Sequence, residues 1–592
     1  MMSDLNPSQR EAVCCGTGPC EVIAGPGSGK TLVLTERILY LLDHFKIAPS
    51  GILVLTFSRS AAAEMKDRFL KKTGGRDIGV LFGTFHSVFF YILKESTHKN
   101  YSLLSDSKRD RLLSHLIARH FPDPYERPSL EEAEKLLRMS ASGSEVPLSA
   151  FEREYRTYLR ENGYVDFDDM ITECHRLLLS DERIRDYWRR RFKAILVDEF
   201  QDINREQYEI LRLLTSGRGL FVVGDDDQSI YGFRGSDPSV MQQFLADFPD
   251  GRRVFLDINY RCSGCICKTA SMLIHENKLR IPKHMTAAGE AGEKAVLRSF
   301  AEDSQEFRYL LSEMRKLTEE ELDNTAVIVR TNTHAAKIEN YLATHGIACR
   351  GKISTSSSIR SEIARDLEAY LMLAQEMKRN MLSRQFLYRV MNRPERYLLR
   401  ENVQEEFVRP LDLLTHGEGV GPNRETAELL RDLKVLHTLK PEGFVRYLYY
   451  SVGYAKWALA GIGRRESVQF ALQEILEEAS RCDSQEELMR VLREPGSDQR
   501  ASDKRGVRIM TMHVSKGLEF DRVYLPALNE GILPGRRCRT PEDFEEERRL
   551  LYVAMTRARH HLELLYTTGT KLNPRPPSRF LSVYGIRSFV SS

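Results

Sequence analysis

The fold of this chain follows from one glycine-rich segment, Ala24-Gly25-Pro26-Gly27-Ser28-Gly29-Lys30-Thr31. A short β-type run at 21–23 precedes the segment, and apolar residues at helical spacing follow it from 32 to 42. A strand, a glycine-rich turn and a helix in that order form a phosphate-binding loop, because the turn lets successive backbone N–H groups face one point. The lysine can reach the β and γ phosphates of a nucleotide, and the threonine hydroxyl can hold Mg²⁺. The strict pattern has glycine at the position of Ala24, and the rest of the pattern is intact.

The bulk composition predicts a globular protein of several domains. The chain has 592 residues, of which 42% are hydrophobic and 29% charged. Its net charge is only +3, so any nucleic-acid surface must be a local patch. We see no signal-peptide pattern and no apolar stretch of membrane-spanning length, and we therefore expect a cytoplasmic protein without a membrane partner.

Ten cysteines in a long chain without a secretory signal predict reduced thiols and not a disulfide framework. The tightest group is Cys262, Cys265 and Cys267. Three sulfur ligands without an evident fourth are a weak metal signature, and the sequence leaves metal binding there open.

Two further β-type runs end in carboxylates. Residues 194–197 are followed by Asp198 and Glu199, and residues 220–223 lead into an acidic trio at 225–227. A buried strand that ends in acids presents them at the carboxyl edge of a parallel sheet, where nucleotide enzymes bind their ligand. Asp198 can hold Mg²⁺ through water, and Glu199 can orient and deprotonate an attacking water. The trio suits either a metal site or a hydrogen-bonded turn, and we favour the turn.

The pattern along the chain predicts two α/β regions, each interrupted by a helical insertion. Residues 88–178 and 363–482 read as mainly helical, whereas β-type runs lie before, between and after them. A basic stretch from Arg183 to Lys193 permits two interpretations, a contact with phosphate or a solvated helix face.

With these residues in view, the sequence resembles the superfamily 1A helicases of the UvrD/Rep/PcrA type over nearly its whole length. The resemblance lies in motifs that follow one another in the family's order. They are Leu5–Val13 (Q motif), Ala24–Thr31 (I), Leu55–Ala62 (Ia), Gly83–Ser87, Asp166–Asp169, Val197–Asp202 (II), Val223–Gly235 (III), Asn259–Arg261 (IV), Thr511–Phe520 (V) and Glu546–Ala558 (VI).

The resemblance implies an α/β fold of two RecA-like parallel-sheet lobes, 1A and 2A, with the mainly helical insertions 1B and 2B. Lobe 1A would comprise residues 1–90 and 166–255, with 1B at 91–165. Lobe 2A would comprise 256–362 and 503–592, with a short 2B at 363–502.

The resemblance also implies that ATP binds between the two lobes, with Mg²⁺ held by Thr31 and Asp198. Gln9 would read the adenine edge, Tyr260 would stack near the adenine, and Glu519 would contact the ribose. Gln228 would sense the γ-phosphate. The expected catalytic residues are Lys30, Asp198, Glu199, Gln228, Arg261 and Arg557, the two arginines acting on the γ-phosphate from the second lobe.

DNA would cross both lobes. The rings of Phe57, Tyr231 and Phe233 follow predicted strands and can stack on unpaired bases. His86, Arg234 and His513 are the implied backbone contacts. The expected partners are single-stranded DNA and junctions of single-stranded and duplex DNA.

These inferences predict an ATP-dependent single-stranded DNA translocase and 3′→5′ DNA helicase in DNA repair or replication maintenance. The alternative is a helicase-like ATPase subunit that regulates or loads a partner nuclease in a defence or recombination complex. The short second insertion slightly favours the alternative. The Gly-Ile-Gly turn that the resemblance implies after Asn392-Arg393-Pro394, and that helps relatives grip duplex DNA, is missing, so the resemblance supports translocation more than strand separation.

Overall fold

The computed structural model describes residues 5–97, 101–104, 106–121, 127–128, 130, 132–133, 136–137, 150–215, 217, 219–232, 235–351, 356–394, 396, 398, 403, 405–415, 424–461, 465–493, 505–570 and 573–585. The chain divides into two compact units. The first comprises 1–104, 159–350 and 505–592, and the second comprises 105–158 and 351–504.

The described strands are numbered in chain order. They are β1 (Cys20–Ala24), β2 (Ile52–Thr56), β3 (Leu81–Thr84), β4 (Ser102–Leu103), β5 (Tyr164–Val165), β6 (Ala194–Val197), β7 (Leu220–Gly224), β8 (Arg252–Leu256), β9 (Ile258–Asn259), β10 (Thr286–Ala287), β11 (Val296–Phe300), β12 (Thr325–Val329), β13 (Cys349–Gly351), β14 (Leu382–Ser383), β15 (Phe407–Val408), β16 (Val507–Thr511), β17 (Phe520–Leu525), β18 (Ala558–Thr567), β19 (Gly569–Thr570) and β20 (Asn573–Pro574).

The α-helices are named by their bounds. They are Pro7–Cys14, Lys30–Asp43, Arg59–Lys72, Phe85–Thr97, Asp106–His120, Ala150–Glu161, Phe167–Ser180, Glu182–Arg191, Arg205–Thr215, Ser239–Asp247, Gly264–Ile274, Asp303–Met314, Glu319–Asp323, Asn332–Thr344, Ser356–Glu376, Arg384–Val390, Pro410–Thr415, Arg424–Thr438, Pro441–Arg446, Tyr454–Gly461, Arg465–Ser480, Gln485–Arg493 and Pro541–Met555.

The first unit contains two six-stranded sheets. The strand order is β3-β2-β6-β7-β1-β8 in one and β11-β18-β17-β12-β16-β13 in the other. The pairings of β1, β2, β6 and β7 and those of β12, β17 and β18 are all parallel. We call the first sheet with its helices the first lobe and the second sheet with its helices the second lobe. The predicted fold class, α/β with two parallel-sheet lobes, is confirmed.

Burial on both faces explains why the central strands are almost continuously apolar. Every residue of β1, β2, β6, β7 and β12 is buried. Parallel strands carry helices on both faces of the sheet, so they lack the polar alternation of a half-exposed strand. Because all carboxyl ends of such strands meet at one edge, the loops after β1, β2, β6 and β7 converge there.

The second unit is mainly helical. The helix Ser356–Glu376 supplies a buried apolar face that includes Leu367, Leu371 and Ala374. Asp366 on the same helix is fully buried, and Arg389 and Arg393 hold its carboxylate at 2.7 and 2.9 Å. The first half of this unit, 105–158, lies within the predicted insertion 91–165, and the second half, 351–504, extends beyond the predicted 363–502 at both ends. The division leaves both lobes in one unit. The predicted domain bounds therefore stay a prediction.

None of the helices in the described ranges is both long and apolar enough to cross a bilayer. All ten cysteines are free thiols, as predicted.

Candidate nucleotide and nucleic-acid site

The glycine-rich loop follows β1, which lies between β7 and β8 in the first sheet, and runs into the helix Lys30–Asp43. Gly27 and Gly29 have φ of 67° and 87°, a left-handed backbone that other residues adopt only at a cost. The Ser28 hydroxyl donates to the Gly25 carbonyl at 2.8 Å, which closes the loop on itself. The loop therefore has the backbone path that a phosphate cradle needs.

A second reason requires glycine at position 27. A Cβ there would lie 2.7 Å from the Asn259 side-chain oxygen and 2.6 Å from Cβ of Arg261. The Tyr260 N–H donates to the Gly27 carbonyl at 2.9 Å. The segment Asn259–Arg261 thus lies directly against the loop.

The side chain of Gln9 supports the same loop by a hydrogen bond. Its side-chain nitrogen donates to the Ser28 carbonyl at 3.0 Å, and its oxygen accepts from the Asn6 N–H at 3.1 Å. The side chain is buried, so the structure gives Gln9 a structural contact besides its predicted contact with adenine. The Tyr260 ring, 54% exposed, is accessible for stacking, and its hydroxyl accepts from the Asn6 side chain at 2.9 Å.

Asp198 and Glu199 follow β6 at the same edge of the sheet. Glu199 has a φ of 51°, and its carboxylate lies 3.8 Å from the Lys30 ammonium. Burial and the neighbouring Glu199 raise the pKa of Asp198 to about 7. Burial also opposes ionisation of Glu199, but Lys30, Lys516 and a hydrogen bond from Gln201 lower its pKa to about 2. Glu199 is therefore ionised at neutral pH, as a proton acceptor must be.

These carboxylates fit a divalent cation. The carboxyl of Asp198 is buried, and burial favours its neutral form. A bound cation would favour the ionised form instead. Hard oxygen donors of this kind suit Mg²⁺. Thr31, on the first turn of the helix after the loop, is the second expected ligand.

Gln201 and Gln228 join motif II to motif III. The Asp225 N–H donates to the Gln201 side-chain oxygen at 2.9 Å, and the Gln201 nitrogen donates to Glu199 at 2.5 Å. The Gln228 side chain is buried and donates to the Asp225 carboxylate at 2.5 Å. Gln228, the predicted phosphate sensor, is thus linked to Glu199, the predicted proton acceptor, through Asp225 and Gln201.

Sequence reasoning missed Lys516. Its ammonium donates to the Asp202 carboxylate at 2.5 Å and to the Gln228 carbonyl at 2.9 Å, and it lies 5.1 Å from the centre of the Tyr231 ring. Lys516 belongs to the second lobe, and its three contacts belong to the first. The residue lies inside the quoted motif V, but nothing in its local sequence signalled a buried contact.

The predicted base-stacking residues come together in part. The rings of Phe57 and Tyr231 are stacked, 5.1 Å apart and inclined by 13°, and His513 lies 6.4 Å from Tyr231. His86 contacts the ring of Phe167 edge-on at 5.5 Å. Phe233 and Arg234 lie outside the described residues.

Two arginines of the second lobe lie near each other. Arg557 is fully buried and donates to the carbonyls of Val553 and Leu518 at 2.8 and 3.1 Å. Burial and the adjacent Arg261 lower the pKa of Arg557 to about 9. Arg261 itself donates to the Glu519 carboxylate at 2.8 Å. Because the two positively charged guanidinium groups repel each other, an anion bound near both of them would be stabilised.

The acidic trio forms a turn, as favoured from the sequence. Residues Asp226–Gln228 are a 3₁₀ turn capped by the Asp225 side chain. The ammonium of Lys283 lies 2.7, 2.5 and 2.9 Å from the three carboxylates, and Arg280 pairs with Asp227 at 2.6 Å. The buried ammonium of Lys283, with the half-buried Arg280 beside it, thus occupies the position that a metal ion would take.

The three thiols of the cysteine group do not converge on one point. In the part of the chain that the structure describes, the acidic trio is the only set of three ligand groups that converge. The thiol of Cys262 donates to the Thr556 carbonyl and that of Cys267 to the Met285 carbonyl.

These features define a class of protein, a two-lobed α/β protein with a phosphate-binding loop at the carboxyl edge of its first sheet, typical of nucleotide-binding enzymes. The comparison with known proteins agrees. The family model for the UvrD/REP helicase N-terminal domain matches residues 5–249, and that for the UvrD-like helicase C-terminal domain matches 254–409 and 465–569.

Three relatives align over 98% of this chain. The ATP-dependent DNA helicase Rep of Salmonella typhimurium is 30% identical, over 93% of its own length. The ATP-dependent DNA helicase PcrA of Staphylococcus aureus is 28% identical over 86%, and YjcD of Bacillus subtilis is 30% identical over 80%. The chain belongs to the UvrD/Rep family of DNA helicases and is an enzyme of that class.

Proposed function

We propose that the chain is an ATP-dependent translocase on single-stranded DNA and a 3′→5′ DNA helicase in DNA repair or replication maintenance. One observation carries the proposal. The ammonium of Lys516 contacts Asp202 and Gln228 of the nucleotide site and also the Tyr231 ring, which stacks on Phe57. A change at the nucleotide can therefore reach the aromatic pair through one side chain.

The nucleotide chemistry follows from the charges. The phosphate loop and Lys30 would bind the phosphates, and Thr31 and Asp198 would hold Mg²⁺, which neutralises phosphate charge when it is bound. Glu199, ionised and oriented by Gln201, would accept the proton of the attacking water. Arg261 and Arg557 would meet the charge that develops on the γ-phosphate.

Movement follows from differential binding. The arginines belong to the second lobe and the phosphate loop to the first, so a bound triphosphate favours the arrangement in which both contact it. Hydrolysis removes that preference, and Lys516 would then shift relative to Tyr231. The rings of Phe57 and Tyr231 would hold unpaired bases by stacking, which needs no sequence preference. Single-stranded DNA and junctions with duplex DNA are the partners that fit.

The first experiment is ATP hydrolysis by the purified chain with and without single-stranded DNA. We expect strong stimulation, followed by unwinding of a duplex with a 3′ overhang and not of one with a 5′ overhang. The Glu199→Gln variant is the matched control, because it keeps the site but removes the proton acceptor. Unwinding from the 5′ overhang alone would overturn the polarity.

The alternative is a helicase-like ATPase subunit of a nuclease complex. The family match is interrupted at 410–464, within the predicted second insertion, so this part of the chain departs from the family pattern. Weak hydrolysis that DNA does not raise, together with a nuclease partner that restores it, would favour this candidate.

A further inference from the structure

The helix Glu182–Arg191 carries a charge pattern that the nucleotide site does not use. Its sequence, ERIRDYWRRR, has five arginines and two carboxylates, a net charge of +3 in ten residues. The whole chain of 592 residues has the same net charge, so this helix is a strong local concentration of positive charge.

The charges are sorted by face. Glu182 pairs with Arg185 at 3.5 Å, and Asp186 pairs with Arg189 at 3.3 Å. These two arginines also donate to backbone carbonyls, Arg185 to Leu178 at 3.0 Å and Arg189 to Leu213 at 2.7 Å. The carboxylates of the helix are therefore neutralised by arginines that are themselves anchored to the lobe.

The remaining arginines of the helix and Tyr187 form a separate stripe. Positions 183, 187, 190 and 191 follow the i, i+4, i+7, i+8 spacing of one helix face, and all four side chains are exposed. Among the described residues, none of the cations Arg183, Arg190, Arg191 and the adjacent Lys193 has an ion-pair partner. The stripe thus presents positive charge to solvent without an acid of its own.

An aromatic platform lies within the stripe. Trp188 is buried, and its indole N–H donates to the Ser96 hydroxyl at 2.9 Å. Tyr187 and Tyr91 contact it edge-on at 5.2 and 5.6 Å and are 51% and 36% exposed. The guanidinium of Arg191 lies 5.8 Å from the centre of the Trp188 ring. The exposed rings are thus held on a fixed support and can take a base without further ordering.

The stripe ends at the edge of the sheet opposite the phosphate loop. The helix ends at Arg191, and β6 begins at Ala194, so Lys193 leads into the amino end of that strand. Asp198 follows the carboxyl end of the same strand. A strand rises about 3.3 Å per residue, so the two edges are separated by roughly 13 Å along β6. The stripe is therefore a surface distinct from the pair Phe57 and Tyr231.

We propose that this amino-edge patch, formed by Arg183, Tyr187, Arg190, Arg191 and Lys193, is a second binding site for single-stranded DNA. The inference rests on the proposed function, in that the strand bound here continues from the strand on which the motor acts. Unpaired cations meet the phosphates, and exposed rings on a basic surface hold unpaired bases, which favours a single strand over a duplex.

The experiment measures binding of two oligothymidylates, about 10 and about 40 nucleotides long, to the full chain by fluorescence anisotropy at several salt concentrations. The test variant is Arg183→Glu/Arg190→Glu. The matched control is Arg308→Glu/Arg315→Glu, the same charge change on exposed arginines of the second lobe without ion-pair partners among the described residues. A further pair, Tyr187→Ala and Tyr187→Phe, separates ring from hydroxyl.

We expect the test variant to bind the long oligonucleotide at least roughly tenfold more weakly, with a salt slope smaller by about 1.4, because two phosphate contacts are lost. Binding of the short oligonucleotide should be unchanged. Tyr187→Ala should weaken the long complex by roughly fivefold or more, and Tyr187→Phe should not. Equal losses in test and control variants, or a loss confined to duplex DNA, would overturn the proposal. A wild-type chain that binds neither oligonucleotide would instead refute the proposed function.

Discussion

The contact of Lys516 with Asp202 makes the sharpest prediction about this protein. The side chain of Lys516 is 8% exposed and that of Asp202 only 1%, and the two charged atoms lie 2.5 Å apart. Among the described residues, Lys516 is the only hydrogen-bond donor to the Asp202 carboxylate. The second oxygen of that carboxylate is buried and has no hydrogen-bond partner among these residues. The substitution Lys516→Met removes the charge and keeps most of the apolar stem.

The expected loss follows from burial. Breaking a buried ion pair by removing one partner costs about 3–5 kcal/mol, because the other charge is left uncompensated. Burial already raises the pKa of Asp202 to about 6 against the opposing effect of Lys516. Without the lysine the pKa of Asp202 rises further, so its carboxyl is protonated at about pH 6 and carries no uncompensated charge. The loss of stability should therefore be larger at about pH 8 than at about pH 6.

Two assays check these points together. Denaturant unfolding at both pH values gives the free energy of unfolding, and ATP hydrolysis with and without single-stranded DNA gives the coupling. We expect Lys516→Met to lose most of the stimulation by DNA while hydrolysis without DNA persists. The double variant Lys516→Met/Asp202→Asn should recover stability but not stimulation, since it removes the stranded charge without restoring the link to Gln228 and Tyr231.

The control is Lys316→Met. Lys316 pairs with Glu313 at 2.6 Å but is 66% exposed, so its loss should cost less than about 1 kcal/mol. If Lys516→Met unfolded like Lys316→Met, or if it kept full stimulation by DNA, the reasoning about this contact would be refuted.

Three further predictions concern single side chains. Glu199→Gln should lower the turnover of ATP by roughly 10²–10⁴-fold with nucleotide binding retained, and unchanged turnover in a steady-state assay would remove Glu199 as the proton acceptor. Lys30→Ala should weaken ATP binding measured by calorimetry, and an unaltered affinity would contradict the phosphate clamp. Burial raises the pKa of Glu306 from 4.5 to about 7, so its stabilising effect is present at low pH and is lost as the pH rises through 7. Glu306→Gln should therefore flatten the pH dependence of unfolding between about pH 5 and 8 by up to about 3 kcal/mol, and an unaltered slope would count against this assignment.

The parts of the site that are contiguous in sequence could be predicted. The phosphate loop is specified by local backbone requirements, so eight residues sufficed to place it after β1 and before a helix. Asp198 and Glu199 follow a buried strand for the same reason. The fold class followed from apolar runs without polar alternation, which only a sheet covered on both faces tolerates.

The contacts across long stretches of sequence could not be predicted. Phe57 and Tyr231 were both candidates for stacking on DNA, but their stacking on each other depends on the strand order β2-β6-β7, which the sequence does not state. With one strand between them, their loops start roughly 10 Å apart, within reach of two rings. Lys516 lies 314 residues from Asp202, and no local pattern marks a lysine that will be buried.

The acidic trio shows why side-chain chemistry alone was ambiguous. Three adjacent carboxylates are equally suitable for a divalent ion or for buried basic side chains, because both satisfy the same negative charge. The structure places Lys283 within 2.9 Å of all three, and its pKa is raised well above the usual value because these charges outweigh the cost of burial. A metal ion would have to displace an ammonium that is itself buried and would then be left without a partner, which is unfavourable on both counts. The three carboxylates are therefore neutralised by basic side chains of the second lobe, and the trio is a contact between the two lobes.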